Sequence, residues 1–151
     1  MTQTAMCFVL TDDERLAKKG ARLFTGIWAQ HISFVAIDES QKESRQRQNP
    51  QEGILLRKSL QEVRAEMATI RQNYFVFVDL DAKTFNPFEA ARFLCEDEPS
   101  GLRLVGFAVA LDPHLTQRAK LHGARDVFQR FTFEKLLREL ADNVNDIVLP
   151  I

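Results

Sequence analysis

Tyr74-Phe75-Val76-Phe77-Val78-Asp79-Leu80-Asp81 is the stretch that decides the fold. Five apolar residues, three aromatic and two β-branched, stop abruptly at carboxylates. An unbroken apolar run of that length bounded by acids predicts a strand buried on both faces, hence a central strand of a parallel sheet. In open α/β sheets the binding crevice lies outside the carboxyl ends of the strands. Asp79 and Asp81 are therefore expected where such a fold does its chemistry. A pair of solvated loop acids after a core strand would be written with the same letters.

Working outward, Met6-Cys7-Phe8-Val9-Leu10 is a second continuous apolar run that ends on Thr11-Asp12-Asp13-Glu14. A helix is predicted next, with Leu16, Ala17, Gly20, Leu23 and Phe24 at helical spacing, capped by Thr11 or Asp12. Ile32 to Ile37 reads as another strand, closed by Asp38. Residues 39–53 contain no apolar side chain and predict a long polar insert. Leu56, Leu60, Val63, Met67 and Ile70 are spaced 4-3-4-3, which predicts one helix of about five turns.

Beyond the organising strand, Pro87 suits a first helical position and opens a helix with Phe88, Ala91, Phe93 and Leu94 apolar. Residues 102–110 form the fourth strand region. Asp112 caps a helix that Pro113 opens and Gly123 closes. Residues 126–128 read as a short fifth strand, and Phe133, Leu136, Leu137, Leu140 and Val144 as the apolar stripe of a last helix. The tail, residues 145–151, ends on Ile147-Val148-Leu149-Pro150-Ile151 and takes no element. Five strands alternating with five helices predict one three-layer (βα)5 domain of flavodoxin-like type over residues 1–151. For five strands the fitting parallel order is 2-1-3-4-5.

Composition supports this and excludes several classes. A chain of 151 residues with 45% hydrophobic and 27% charged residues is ordinary globular material. A net charge of −1 gives no electrostatic case for nucleic acid or an anionic membrane. No apolar stretch approaches the ~18–20 residues of a spanning helix, and the N-terminus lacks the pattern of a signal peptide. Cys7 and Cys95 lack metal-like spacing and read as free thiols of a reducing, cytoplasmic setting. Twelve Phe against one Tyr and one Trp predict a core of rings that need no hydrogen-bond partner. No Gly-x-Gly-x-x-Gly or Walker loop follows any strand, and none of His31, His114 and His122 sits in a triad or metal pattern.

With strands one and three adjacent, Asp12 and Asp13 are expected to meet Asp79 at one end of the sheet. Three converging carboxylates repel by a few kcal/mol per close pair at an effective dielectric near 20, so such clusters usually hold a hard divalent cation such as Mg²⁺. A carboxylate ending the central strand could then attack a phosphoryl group whose charge the metal neutralises.

Here the chain resembles, over nearly its whole length, the receiver domain of two-component response regulators. Asp12-Asp13 after an apolar strand resembles the family's acidic metal pair, and Val78-Asp79-Leu80 the strand carrying its phosphoacceptor aspartate. Gly123-Ala124-Arg125-Asp126-Val127-Phe128, followed by Phe133-Glu134-Lys135-Leu136-Leu137, resembles the family's Gly-Ala-x-x-aromatic strand and closing helix. The departures are as specific. Ala108 stands where the family places Ser or Thr, Arg130-Phe131 where it places Lys-Pro, and Val127 in the aromatic slot. Arg keeps the charge of Lys but is longer, planar and differently hydrated.

The resemblance, with these departures, implies a stand-alone bacterial signalling module. It is expected to be a binding module, not an enzyme, working through protein–protein contact without the standard phosphorylation switch. The alternative is a phosphorylatable receiver using Asp79, Mg²⁺ on Asp12 and Asp13, and Arg130 in place of Lys. The implied partner is a histidine kinase or a downstream signalling protein, or a second copy in a homodimer; neither nucleic acid nor membrane is expected. Phe131 and the tail 147–151 are the expected apolar contacts.

Overall fold

A computed structural model describes residues 6–23, 32–39, 55–69, 74–96 and 102–146. In chain order these form β1 (Met6–Leu10), α1 (Glu14–Leu23), β2 (Ile32–Ile37), β3 (Leu56–Lys58), α2 (Leu60–Ala68) and β4 (Tyr74–Asp79). They continue with α3 (Pro87–Cys95), β5 (Leu102–Ala108), α4 (Pro113–Leu121), β6 (Asp126–Gln129) and α5 (Arg130–Asp146). The sheet is parallel throughout and runs β3-β2-β1-β4-β5-β6. The organising strand β4 is central, as its unbroken apolar run requires.

The five anticipated strands take the anticipated order, and one strand was not anticipated. β3 joins the outer edge, pairing Val35 with Leu56 and Ile37 with Lys58. The predicted five-turn helix therefore begins later, at Leu60. Ser59 stops it from reaching back: its hydroxyl accepts the Glu62 amide at 3.2 Å while the Glu62 carboxylate accepts the Ser59 amide at 3.5 Å. That reciprocal capping box fixes a helix start, which leaves Leu56 to serve as a strand residue. Ile70, the end of the predicted stripe, lies outside the described residues, as do Phe24, residues 40–53 of the polar insert and the tail 147–151.

Alternation along the strands splits the core into two layers. Phe8, Leu10, Val76, Val78, Leu104, Ala108 and Val127 face α2, α3 and α4, meeting Val63, Phe88, Leu94 and Ala119. Val9, Phe34, Phe77, Val105 and Phe107 face α1 and α5, meeting Leu16, Phe133 and Leu137. The phenylalanines fill this second layer as rings on rings. Phe107 and Phe133 stack with centroids 4.0 Å apart, and Phe77 tilts onto Phe133 at 5.0 Å. Gly20 lets α1 approach: a Cβ there would lie 2.2 Å from Phe34 Cζ. Gly123 ends α4 at φ +110°, the left-handed conformation that suits glycine past a helix end.

Among the described residues no helix is long and apolar enough to cross a membrane.

Candidate functional site at the carboxyl edge of the sheet

Register decides which side chains meet. Leu10 pairs with Val78, so the next residues, Thr11 and Asp79, emerge side by side where β1 and β4 end. The fully buried Thr11 hydroxyl donates to Asp79 Oδ2 at 2.7 Å. The Asp81 amide donates to Asp79 Oδ1 at 3.0 Å. Both Asp79 oxygens are thus engaged, and the residue is 2% exposed. Burial raises the Asp79 pKa above the usual carboxylate value. The Thr11 hydroxyl, the Asp81 amide and the Arg130 charge pull the other way without cancelling it.

Asp13 works twice. Its Oδ1 accepts the Arg15 amide at 2.9 Å, capping α1, and its Oδ2 forms an ion pair with the Arg130 guanidinium. The cap expected at Thr11 or Asp12 therefore falls on Asp13, because Thr11 is drawn to Asp79. Partial burial pushes the Asp13 pKa up. The bond and charge of Arg130, with the amides of Arg15 and Leu16, outweigh it and hold the carboxyl below its usual value. On Arg130, burial is outweighed by the attraction of Asp13, Asp79 and Glu134, which raises its pKa.

Asp12 turns to the other side. Its Oδ2 accepts the amides of Lys83 at 2.7 Å and Thr84 at 2.9 Å, tying the β1–α1 turn to the β4–α3 turn. Beyond it opens a cavity of about 560 Å³ bordered by Asp38, Glu39, Arg57, Asn86 and Glu89. Asp12, Asp13 and Asp79, expected to meet at this edge, are each held by their own partners here. Repulsion is relieved by giving each carboxylate a different donor: loop amides, a guanidinium and a hydroxyl. Among the described residues no group of three or more His, Cys, Asp or Glu is arranged to hold a metal ion. In this arrangement Arg130 supplies the positive charge beside Asp13; Asp12, Asp13 and Asp79 are the carboxylates that would hold Mg²⁺ if it displaced that guanidinium.

The departures read from the sequence sit at the same edge. Ala108 ends β5, fully buried, with its methyl group toward α3 and α4. Val127 is buried in that layer while Phe128 packs toward α1 and α5. Phe131 follows Arg130 in the first turn of α5 and is 78% exposed. One participant, Thr11, is read from the sequence only as a possible helix cap. Thr11 is the same distance beyond the apolar run of β1 as Asp79 is beyond that of β4, a count that would have found it. Asp81 lies two residues past Asp79, and its Oδ2 accepts the Val109 amide at 2.7 Å.

No protein-family model and no curated protein matches this sequence. Solved structures do. A LuxR-family two-component response regulator from Aurantimonas sp. SI85-9A1 is 13% identical, with TM-score 0.55 over 97% of this chain and 89% of that one. The signal receiver domain of the response regulator NarL from Mycobacterium tuberculosis is 10% identical, with TM-score 0.54 over 96% and 99%. A response regulator from Burkholderia pseudomallei, solved with a phosphorylated aspartic acid and a calcium ion, is 15% identical, with TM-score 0.50 over 94% and 71%. The fold is that of a receiver domain, an α/β fold of flavodoxin-like type.

Proposed function

We propose that this receiver-like domain is a signalling module that acts by binding another protein, without a phosphorylation switch at Asp79 and without enzymatic activity of its own. One observation carries the reading. Asp79 is buried with both oxygens hydrogen-bonded, and the neighbouring strand ends in the methyl group of Ala108 rather than a hydroxyl. A ligand or modification shifts a conformational equilibrium only through its differential interaction with the two states. A phosphoryl group on Asp79 would find no side-chain donor at Ala108 to draw β5 and its turn inward. The B. pseudomallei structure contains a phosphorylated aspartate and a calcium ion; in this chain Arg130 pairs with Asp13. Output then rests on the surface. Phe131 and the outer face of α4 supply apolar contact for a cytoplasmic protein partner, a kinase or downstream signalling protein, or for a second copy.

The test captures the partner with the tagged parent protein and compares variants by titration. Asp79→Asn and Asp79→Glu should bind within a factor of a few of the parent, and Phe131→Asp should bind far more weakly. Protein phosphorylated on Asp79 that binds tenfold tighter, about 1.4 kcal/mol of coupling, would restore the phosphorylatable receiver.

A further inference from the structure

Asp81 takes no part in the Asp13–Arg130 or Thr11–Asp79 pairings, yet its carboxylate is committed. The last β5–β6 pair is Ala108 with Gln129, so the Val109 amide lies one residue beyond the ladder. That amide donates to Asp81 Oδ2, which comes from the turn after the neighbouring strand β4. Asp81 is itself held close to β5. Its own amide donates to Asp79 Oδ1, and the adjacent Leu80 amide donates to the Phe107 carbonyl at 2.8 Å. At the far end of the same turn, Asp112 caps α4 by accepting the Leu115 amide at 2.8 Å. Residues 109–112 are therefore pinned by one carboxylate at each end.

Apolar burial contributes little to holding this turn. Val109 is 64% and Leu111 is 39% exposed. Segments with so few buried contacts open readily on their own. A hydrogen bond to an ionised acceptor is roughly twice as strong as a neutral one, and it connects two turns that no ladder joins. The turn also begins an outer hollow of about 680 Å³ on α4, bordered by Leu111, Pro113, Gln117, Lys120 and Leu121.

We propose that Asp81 is a latch for the β5–α4 turn: by holding the Val109 amide, its carboxylate sets the turn and the start of α4 in one arrangement with no group added at Asp79. The latch rests on the reading that this surface is presented without modification. The two fail differently, the latch by an unprotected Val109 amide and the reading by a functional phosphoryl group on Asp79. Asp81 is a positioning residue, so its removal should release one amide and leave the sheet intact.

Amide hydrogen exchange followed by NMR on the whole chain tests this, with Val76 and Phe107 as internal reporters of the sheet. In the parent the Val109 amide should exchange at least tenfold more slowly than an unprotected amide. Asp81→Ala should abolish that protection while Val76 and Phe107 stay protected. Asp81→Asn, which keeps an oxygen acceptor, should restore it to within about threefold of the parent. Equal Val109 protection in the parent and Asp81→Ala overturns the latch. If Asp81→Ala fails to fold, the parent decides: a Val109 amide exchanging at the free-peptide rate overturns the proposal. So does an Asp81→Asn protein whose Val109 amide is unprotected in an intact sheet.

Discussion

Thr11→Val is the sharpest test of how Asp79 is held. Valine has nearly the same shape, so packing around the buried position changes little and the loss is confined to the hydroxyl. That hydroxyl donates to Asp79 Oδ2 at 2.7 Å and accepts the Asp13 amide at 3.1 Å. Stripping a donor from a buried carboxylate costs about 1–3 kcal/mol, and the Asp13 amide, partly open to water, adds little. For a chain of this length that corresponds to a melting temperature lower by roughly 2–4 °C per kcal/mol.

The pH dependence supplies the signature. The folded-state pKa of Asp79 is already raised, and losing Thr11 raises it further. A raised carboxylate contributes stability that is full below its unfolded value and falls as pH rises through its folded value. The deficit of Thr11→Val should therefore be largest at neutral pH and shrink as acid protonates Asp79. Thermal melts of parent, Thr11→Val and Asp79→Asn, with the double variant to close the cycle, measure it. The two changes should be strongly non-additive. A Thr11→Val protein as stable as the parent at pH 7, with no pH dependence in the difference, would refute the claim that this bond holds an ionised Asp79.

Other expectations follow from the same contacts. Arg130→Met should cost about 1 kcal/mol at pH 7. The loss should disappear as pH falls below the ordinary value of 3.8 and through the lower folded value of Asp13, because that lowered carboxylate contributes stability only while ionised. Urea melts across pH 3 to 7 check this. Millimolar Mg²⁺ should leave the parent's melting temperature unchanged and raise that of Arg130→Met, where Asp13 is released; a rise in the parent shows that the cation competes with Arg130. Gly20→Ala should destabilise by about 1–3 kcal/mol, because the overlap with Phe34 outweighs the ~1 kcal/mol gain in helix propensity.

What the sequence showed and what it hid divide along physical lines. Long apolar runs ending in acids placed β1, β2, β4 and β5, because a strand buried on both faces has one way to be written. Pro87, Asp112-Pro113 and Gly123 placed helix ends, because capping and backbone geometry are local. Leu56 was misread because a leucine four residues before Leu60 fits a helical stripe as well as an edge strand; the Ser59-Glu62 capping box was the local sign that a helix begins there. At the site, Asp79, Ala108 and Arg130 could be located by counting along strands. How the carboxylates divide their donors could not, since it depends on which turn passes beside which. Asp12 faces amides 71 and 72 residues away in the chain, and Asp13 a guanidinium 117 residues away.

The central claim is that this fold presents its contact surface without modification of Asp79. Incubating the protein with a small phosphodonor and Mg²⁺, then recording intact mass and the amide spectrum of residues 109–121 on the same sample, tests it most directly. The account predicts an α4 spectrum that stays where it was, whether or not a phosphoryl adduct forms on Asp79. A stoichiometric adduct accompanied by displaced resonances from Val109 through Leu121 would contradict it.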